Sequence, residues 1–253
     1  MKISIITPTN NSDRFVEKAI LSVLEQNYEN FEHIIIDNCS TDNTIRILKK
    51  YRHLIWISEP DKGQSDALNK GFRMASGEVI GWLNSDEYYK KNAFKVISNE
   101  FINNSDIDIV YGDINFVDEN LNLIRTKKEI DFNKWILLYY GCYISTAATF
   151  FRRKIFDDGN FLDINYHYTM DFEFFVRLST KGYKFKHINK TLAEFIWSEN
   201  NKSLDKKSRR KDRVAVQKKY GFKIQLFNDV LSYVYHAQHA ILKLIEGKLD
   251  IQN

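Results

Sequence analysis

The amino-acid sequence predicts an α/β protein with a mostly parallel sheet flanked by helices. Strand-like and helix-like stretches alternate about every twenty residues over the first ninety or so positions, the pattern of successive β-α-β units. The run Ile34 to Ile36 is unbroken and Ile3 to Ile6 is nearly so, as expected of strands covered on both faces. Polar clusters fall where four strands end: Thr9-Asn10-Asn11, Asp37-Asn38, Glu59 to Asp61, and Asn84-Ser85-Asp86. Ligands of such sheets bind beyond the carboxyl ends of the strands.

The first strand is Lys2 to Thr9, ended by Pro8, and a helix follows from Ser12, the predicted N-cap, with Phe15, Ala19, Ile20, Val23 and Leu24 on one face. Phe31 to Asn38 is the second strand, and a helix capped by Ser40 or Thr41 comes next. Leu54 to Asp61 is the third strand. A helix opening at Gly63 ends at Gly77, before the fourth strand, Glu78 to Leu83. Further on, Ala93 to Asn104 reads as a helix, and Asp108 to Asp118 as a strand whose hairpin partner starts near Asn120. Residues 141–153 are strand-like. Tyr168 to Gly182 is a helix, and Tyr183 to Ile188 and Thr191 to Trp197 are two strands. A polar helix over 201–221 and an amphipathic tail over 224–247 close the chain. The expected divisions are a ligand-binding half at 1–110, a second half of the same domain at 111–205, and C-terminal helices at 206–253.

The 253 residues, 43% of them hydrophobic, suffice for one large domain or two small ones. A net charge of +4, from 37 basic and 33 acidic residues, does not indicate a nucleic-acid binder. Two separated cysteines, Cys39 and Cys142, exclude a cysteine-built zinc site and suit a reducing compartment. The apolar run at the N-terminus is too short for a signal peptide, and no run reaches the length of a membrane span.

Taken alone, Asn84-Ser85-Asp86-Glu87 is either a turn whose acid caps the next element or a site of hard oxygen ligands. The motifs ISIITPTNN, IIIDNCSTDNT, DKGQSDALNKGF, GEVIGWLNSDE and MDFEFFVRL, in that order, resemble the family 2 glycosyltransferases of the GT-A fold over about residues 1–200. The resemblance implies transfer of a sugar, with inversion, from a nucleotide-diphosphate donor, UDP by family habit, to a hydroxyl of a glycan or lipid-linked acceptor in surface-polysaccharide synthesis. It implies a divalent ion, Mn²⁺ or Mg²⁺, with Asp86 as its main ligand and Glu87 as a weaker one. Asn84 departs from the family's Asp-x-Asp signature, so the ion is expected to bind weakly. Nucleotide contacts are implied for Pro8, Thr9, Asn11, Asp37, Gly63, Asp66, Asn84 and Ser85. Gly63 and Asp66 open a helix whose N-terminus offers N–H groups to an anion.

Asp171 matches the family's base, which takes the acceptor proton. Glu173, with Arg177 four residues on, reads as structural. Trp197 stands where many relatives carry a metal-binding His; it could stack on a sugar face but cannot ligate. His167 is a substitute polar group or a loop histidine. His236 and His239 have metal-like spacing but lie on an amphipathic helix without a neighbouring acid. The run Lys206, Lys207, Arg209, Arg210, Lys211, Arg213 reads as a solvated face. An alternative sets it against an anionic membrane, with the tail helix on lipid; packing of that helix on the domain, or on a second copy as a homodimer, competes. The expected location is the cytoplasm or the inner face of a bacterial membrane. A nucleotidyltransferase would need a Gly-rich basic loop after the first strand, which Thr9 to Ser12 is not. A relative that binds sugar nucleotides or partners without turnover remains open.

Overall fold

The computed structural model describes residues 1–197, 206–221 and 225–248. The expected boundary at 205 lies outside these residues. Within them, nine strands form one sheet. Its centre is β1 (Ile3–Thr9), which pairs in parallel with β2 (Phe31–Asp37) and β4 (Val79–Trp82); β3 (Leu54–Ser58) extends the parallel block beyond β2. The crossovers are α1 (Val16–Leu24), α2 (Thr44–Leu48) and α3 (Gln64–Met74).

The isoleucine runs explain this block. Ile34 and Ile36 face one side with Ile6, against Leu68 and Phe72 of α3. Ile35 faces the other side, against Val16 and Ile20 of α1 and Leu48 of α2. Ile3 and Ile5 join Ala19 and Val23 of α1. Strands buried on both faces thus need apolar side chains at successive positions. At Gly71 a Cβ would lie 2.4 Å from Ile6 Cγ2, so glycine lets α3 rest on β1.

Beyond β4 the sheet is mixed. In chain order come β5 (Glu87–Tyr89), α4 (Ala93–Asn103), β6 (Ile109–Val117), its hairpin partner β7 (Leu123–Lys127) and α5 (Lys134–Tyr140). A 3₁₀ turn over Thr146–Ala148, β8 (Thr149–Arg152), α6 (Lys154–Asp157), α7 (Met170–Thr180) and β9 (Phe185–Ile196) follow. β8 runs antiparallel between β4 and β6, β6 pairs in parallel with β9, and β5 closes antiparallel onto β9. The position 110 falls inside β6, so the sheet runs unbroken across it.

Three local expectations are corrected. Ser12 caps no helix with its side chain: α1 starts at Val16, and the Ser12 carbonyl accepts from Phe15 and Val16 N–H. Neither Ser40 nor Thr41 caps α2, which starts at Thr44, whose N–H donates to Asp42 Oδ1 at 2.9 Å. The two strands expected over 183–188 and 191–197 are one, β9 (Phe185–Ile196), with register shifts against β6 absorbing the break. Glu87-Tyr88-Tyr89 forms β5, which turns Glu87 inward to 4% exposure. At the C-terminus, α8 (Lys206–Tyr220) and α9 (Gln225–Ile245) pack on α5, with α8 also on α7.

Candidate active site

A cavity of about 1490 Å³ opens beyond the carboxyl ends of β1, β2, β3 and β4. The wall built by those strand ends includes Pro8, Thr9, Asn11, Asn38, Asp61 and Gly63. Asn84, Ser85 and Asp86 follow β4 into the same space, and Asp171, one residue into α7, enters it from another element. Eight of the ten residues singled out from the sequence therefore meet there: Pro8, Thr9, Asn11, Gly63, Asn84, Ser85, Asp86 and Asp171.

Asp37 and Asp66 do not line the cavity. Asp37 is fully buried, and its carboxylate accepts from Ser40 N–H (2.9 Å), Ser40 Oγ (2.5 Å) and Ser58 Oγ (2.6 Å). Through these bonds it braces the turn after β2. Asp66 accepts from Lys62 N–H at 3.1 Å and lies 3.9 Å from Lys70 Nζ, a first-turn acid holding its own helix start. The residues at the strand ends that do face the cavity in their place are Asn38 and Asp61, joined by Asp61 N–H to Asn38 Oδ1 at 3.0 Å.

The loop after β1 is held in shape by Asn11. It adopts a left-handed backbone (φ 48°), and its Oδ1 accepts from Thr41 N–H at 2.8 Å. Two buried hydroxyls on the cavity wall, Thr9 Oγ1 and Thr169 Oγ1, have no hydrogen-bond partner. Such groups are rare in folded proteins and mark where a polar ligand completes the bonding. Gly63 (φ 105°) turns the chain into α3 and donates to Asp61 Oδ1 at 2.7 Å.

The acid cluster is more occupied than its sequence suggests. Asn84 Oδ1 accepts from both Gln64 Nε2 (2.7 Å) and Trp82 Nε1 (2.9 Å). Glu87 accepts from Asn84 N–H at 2.7 Å and is turned into the fold. Burial, with the Asp86 charge second, pushes the Glu87 carboxyl up to about 8. Burial also raises Asp86. Ser85 Oγ donates to Ser12 Oγ at 3.0 Å, tying the motif to the β1 loop.

A divalent ion can be tested against this arrangement. Among the described residues no group of three or more His, Cys, Asp and Glu could hold a metal. Asp86 is the one acid of the motif that lines the cavity, and it is raised by burial without a cation named against it. One carboxylate at the edge of a roomy cavity fits an ion that keeps waters and takes its remaining ligands from a diphosphate. It does not fit a metal centre preformed by protein ligands.

Asp171 accepts from Phe172 N–H at 2.8 Å. Burial raises its carboxyl above the usual aspartate range, against the pull of that N–H, the Cys142 thiol and the Arg209 charge. Cys142 shares the cavity wall, and burial keeps its thiol protonated, able to donate toward Asp171. Glu173 points away: it is fully buried, bonded to Arg177 at 3.0 Å and to the Tyr220 hydroxyl at 2.6 Å.

The C-terminal helices form a wall that the sequence did not indicate. Arg209, Arg210 and Arg213 of α8 line the cavity; Arg209 and Arg210 are exposed, as expected of a solvated face, and Arg213 is half-buried. The side chains of Lys206 and Lys207 and the stretch 198–205 lie outside the described residues. The rings of His236 and His239 lie 4.8 and 3.9 Å from that of Tyr140, clasping the end of α5. Trp197 is 44% exposed, packs edge-on against Phe116 at 5.6 Å and lies off the cavity, which Phe195 of β9 lines. His167 lines the cavity, its Nδ1 close over Gly63. The only sequence sign of this wall was the spacing of Arg209 and Arg213, one helical turn apart.

A family model described as Glycosyl transferase family 2 matches residues 4–178. The Bacillus subtilis protein named as a teichuronic acid biosynthesis glycosyltransferase, TuaG, is 36% identical over 96 residues, 36% of this chain and 38% of its own length. Staphylococcus aureus TarS, named as a poly(ribitol-phosphate) β-N-acetylglucosaminyltransferase, is 31% identical over 102 residues, 38% of this chain and 18% of its own. The structure of its residues 1–349 with UDP superposes with a TM-score of 0.69 at 18% identity, covering 94% of this chain and 72% of that one. The mannosyltransferase PcManGT of Pyrobaculum calidifontis, in complex with GDP-Man and Mn²⁺, gives 0.65 at 15% identity, covering 98% and 76%. The chain spans 38%, 55% and 32% of the length of three curated relatives it matches. The sheet and its helices have the GT-A fold. With more than half of its length matched by the family and the cavity at the matched strand ends, the chain belongs to glycosyl transferase family 2.

Proposed function

We propose that this protein moves a sugar from a nucleotide-diphosphate sugar, with UDP as the nucleotide, to a hydroxyl of a glycan, polyol-phosphate or lipid-linked acceptor in surface-polysaccharide synthesis. The observation that carries this reading is one cavity holding Asp86 beyond β4 and a buried Asp171 at the start of α7. Solved relatives with UDP and with GDP-Man and Mn²⁺ support a nucleotide donor and a divalent ion.

In this reading residues 1–110 hold the donor and 111–205 present the acceptor. Thr9 Oγ1, buried and without a partner, bonds the nucleoside beside Pro8 and Asn38. The α3 N-terminus at Gly63 and Gln64 turns its positive end to the diphosphate. The oxygen of Asn84 is engaged, so its amide NH₂ is the group offered to the donor, with the Ser85 hydroxyl beside it. A Mn²⁺ or Mg²⁺ ion held by Asp86 and the donor would offset charge on the departing diphosphate.

Asp171 takes the proton of the acceptor hydroxyl while that oxygen attacks the anomeric carbon. The bond from that carbon to the phosphate oxygen breaks with its electron pair, and the nucleoside diphosphate leaves. One displacement at one face inverts the centre. Desolvation that raises the Asp171 carboxyl also strengthens it as a base.

No described helix is long and apolar enough to cross a membrane. Phe227, Val230, Val234, Ile241 and Ile245 nevertheless expose one apolar side of α9. That side supports peripheral contact with a membrane carrying a lipid-linked acceptor, on the cytoplasmic face, and self-association through it is the competing use. A non-catalytic relative remains the second reading, favoured by the Asn84 oxygen being bonded within the protein.

Thermal shift with UDP-, GDP- and dTDP-sugars, with Mn²⁺ and with EDTA, tests the proposal, because a bound ligand stabilises the fold by mass action. The expected result is a rise in Tm with a UDP-sugar that shrinks in EDTA, followed by sugar release in a turnover assay. No shift with any nucleotide removes the donor reading, and a shift without turnover favours the non-catalytic relative.

A further inference from the structure

The α8 arginines have no task in the donor chemistry. Arg209, Arg210 and Arg213 all line the cavity. Arg209 and Arg213 are one turn apart, and like charges at that spacing repel. Burial, with the Arg209 charge next, lowers Arg213 from the usual guanidinium range. The Arg213 side chain is anchored, donating to the Tyr139 carbonyl at 2.5 Å and to Ser232 Oγ at 2.7 Å.

The rest of α8 is pinned to the elements around Asp171. Tyr168 N–H donates to Asp212 at 3.2 Å, Gln217 Nε2 to the Leu138 carbonyl at 3.1 Å, and the Tyr220 hydroxyl to Glu173 at 2.6 Å. These partners lie on α5, on α7 and just before it. The charge of Arg209 is felt at Asp171, where it favours the carboxylate. The facing acids are Asp171 itself and Asp229 of α9, with His236 beside them.

We propose that the Arg209, Arg210 and Arg213 face of α8 is an anion subsite for the acceptor, taking a phosphate or carboxylate that the acceptor carries near its reacting hydroxyl. The inference rests on the sugar-transfer reading of the same cavity. Guanidinium forks suit both anions, which they bind through paired N–H groups. Occupancy also acts on the base. Arg209 draws the Asp171 carboxyl down, and an anion seated on Arg209 offsets that pull, so a charged acceptor meets a stronger base than a neutral one.

The test uses the full chain and four probes: UDP, a ribitol-phosphate oligomer, a uronate-containing tetrasaccharide and neutral chitotetraose. Affinities are measured by calorimetry for the wild type, for Arg209→Gln/Arg210→Gln and for Arg209→Lys/Arg210→Lys, with melting curves confirming the fold. The expected result is about tenfold or greater preference of the wild type for an anionic oligomer over the neutral one. The Gln variant loses that preference, the Lys variant keeps most of it, and UDP affinity stays within about twofold throughout. The two anionic probes separate a phosphate acceptor from a carboxylate one. Equal affinity for neutral and anionic oligomers, no binding of either anionic oligomer, or a Gln variant that loses UDP instead, overturns the subsite. A wild type that binds the anionic oligomers but no UDP overturns the sugar-transfer reading, and the acceptor assignment falls with it.

Discussion

Gln64 Nε2 donates to Asn84 Oδ1 at 2.7 Å, so the first residue of α3 fixes the side chain that opens the Asn84-Ser85-Asp86 motif. The bond joins the two strand-end loops that border the cavity, and Trp82 Nε1 holds the same oxygen from β4.

Replacing Asn84 by Asp keeps an oxygen for both donors but adds a charge beside Asp86 and Glu87, which burial already pushes up. We expect Asn84→Asp to lose about 1 to 2 kcal/mol of stability in EDTA through this repulsion. Mn²⁺ should restore the loss, since a second carboxylate gives the ion another hard ligand. Melting curves with and without Mn²⁺ decide it. A variant as stable as the wild type in EDTA and indifferent to Mn²⁺ shows that position 84 does not face an ion.

Asp171→Asn should lower kcat by about 10² to 10⁴, the usual contribution of a positioned base. UDP affinity should not change, because the residue enters the cavity from α7 and not from the donor loops. Since burial raises the Asp171 carboxyl, the acid limb of the wild-type kcat profile should lie above the ordinary aspartate range. A variant retaining more than about a tenth of the wild-type rate removes Asp171 from the chemistry.

The donor side of this site was readable in the sequence and the opposite wall was not, for a physical reason. Strands covered on both faces leave unbroken apolar runs, so Ile34 to Ile36 marks β2 and places Asn38 at its end. Arg209 and Arg213 sit among lysines on a helix of very polar composition, which looks like any solvated surface until α5 and α7 bring it to the cavity. Asp37 shows the converse limit. Its brace to Ser58 comes from the neighbouring strand, so the local sequence around β2 carries no sign of it. β5 was hidden because Glu87 is an unexpected residue in a buried strand of three residues.

Glu173 predicts where the fold is vulnerable. It is fully buried, pairs with Arg177 on its own helix and joins α7 to α8 through Lys219 and the Tyr220 hydroxyl. Breaking a buried pair by deleting one member leaves the other charge uncompensated and costs about 3 to 5 kcal/mol. Glu173→Ala should lose a stability of that order in urea, and limited proteolysis should then cut within α8 first. Tyr220→Phe, which removes one hydrogen bond, should lose only about 1 kcal/mol. Equal losses for the two variants would contradict the buried ion pair as the dominant link.

His33 gives a test in pH. It is fully buried on β2, shares a hydrogen bond with Thr7 Oγ1 at 2.9 Å, and is lowered from 6.5 to about 3 by burial, with nearby His53 adding to it. Below pH 6.5 the unfolded chain takes up a proton that the folded chain refuses until about pH 3. His33 therefore leaves stability intact above 6.5 and reduces it by about 1.4 kcal/mol per unit as pH falls below that. Glu87 acts in the opposite sense. Its folded carboxyl, held near 8, stays protonated where the unfolded one ionises, so its burial weakens the fold as pH rises from 4.5 toward 8. The two slopes oppose each other between about pH 5 and 6.5. His33→Gln removes one of them, so the variant should gain stability relative to the wild type as pH falls through this window, by about 1.4 kcal/mol per unit. Urea midpoints at about pH 6.5 and pH 5 measure the difference. Parallel behaviour of the two proteins across that interval would mean that His33 is protonated in the folded state.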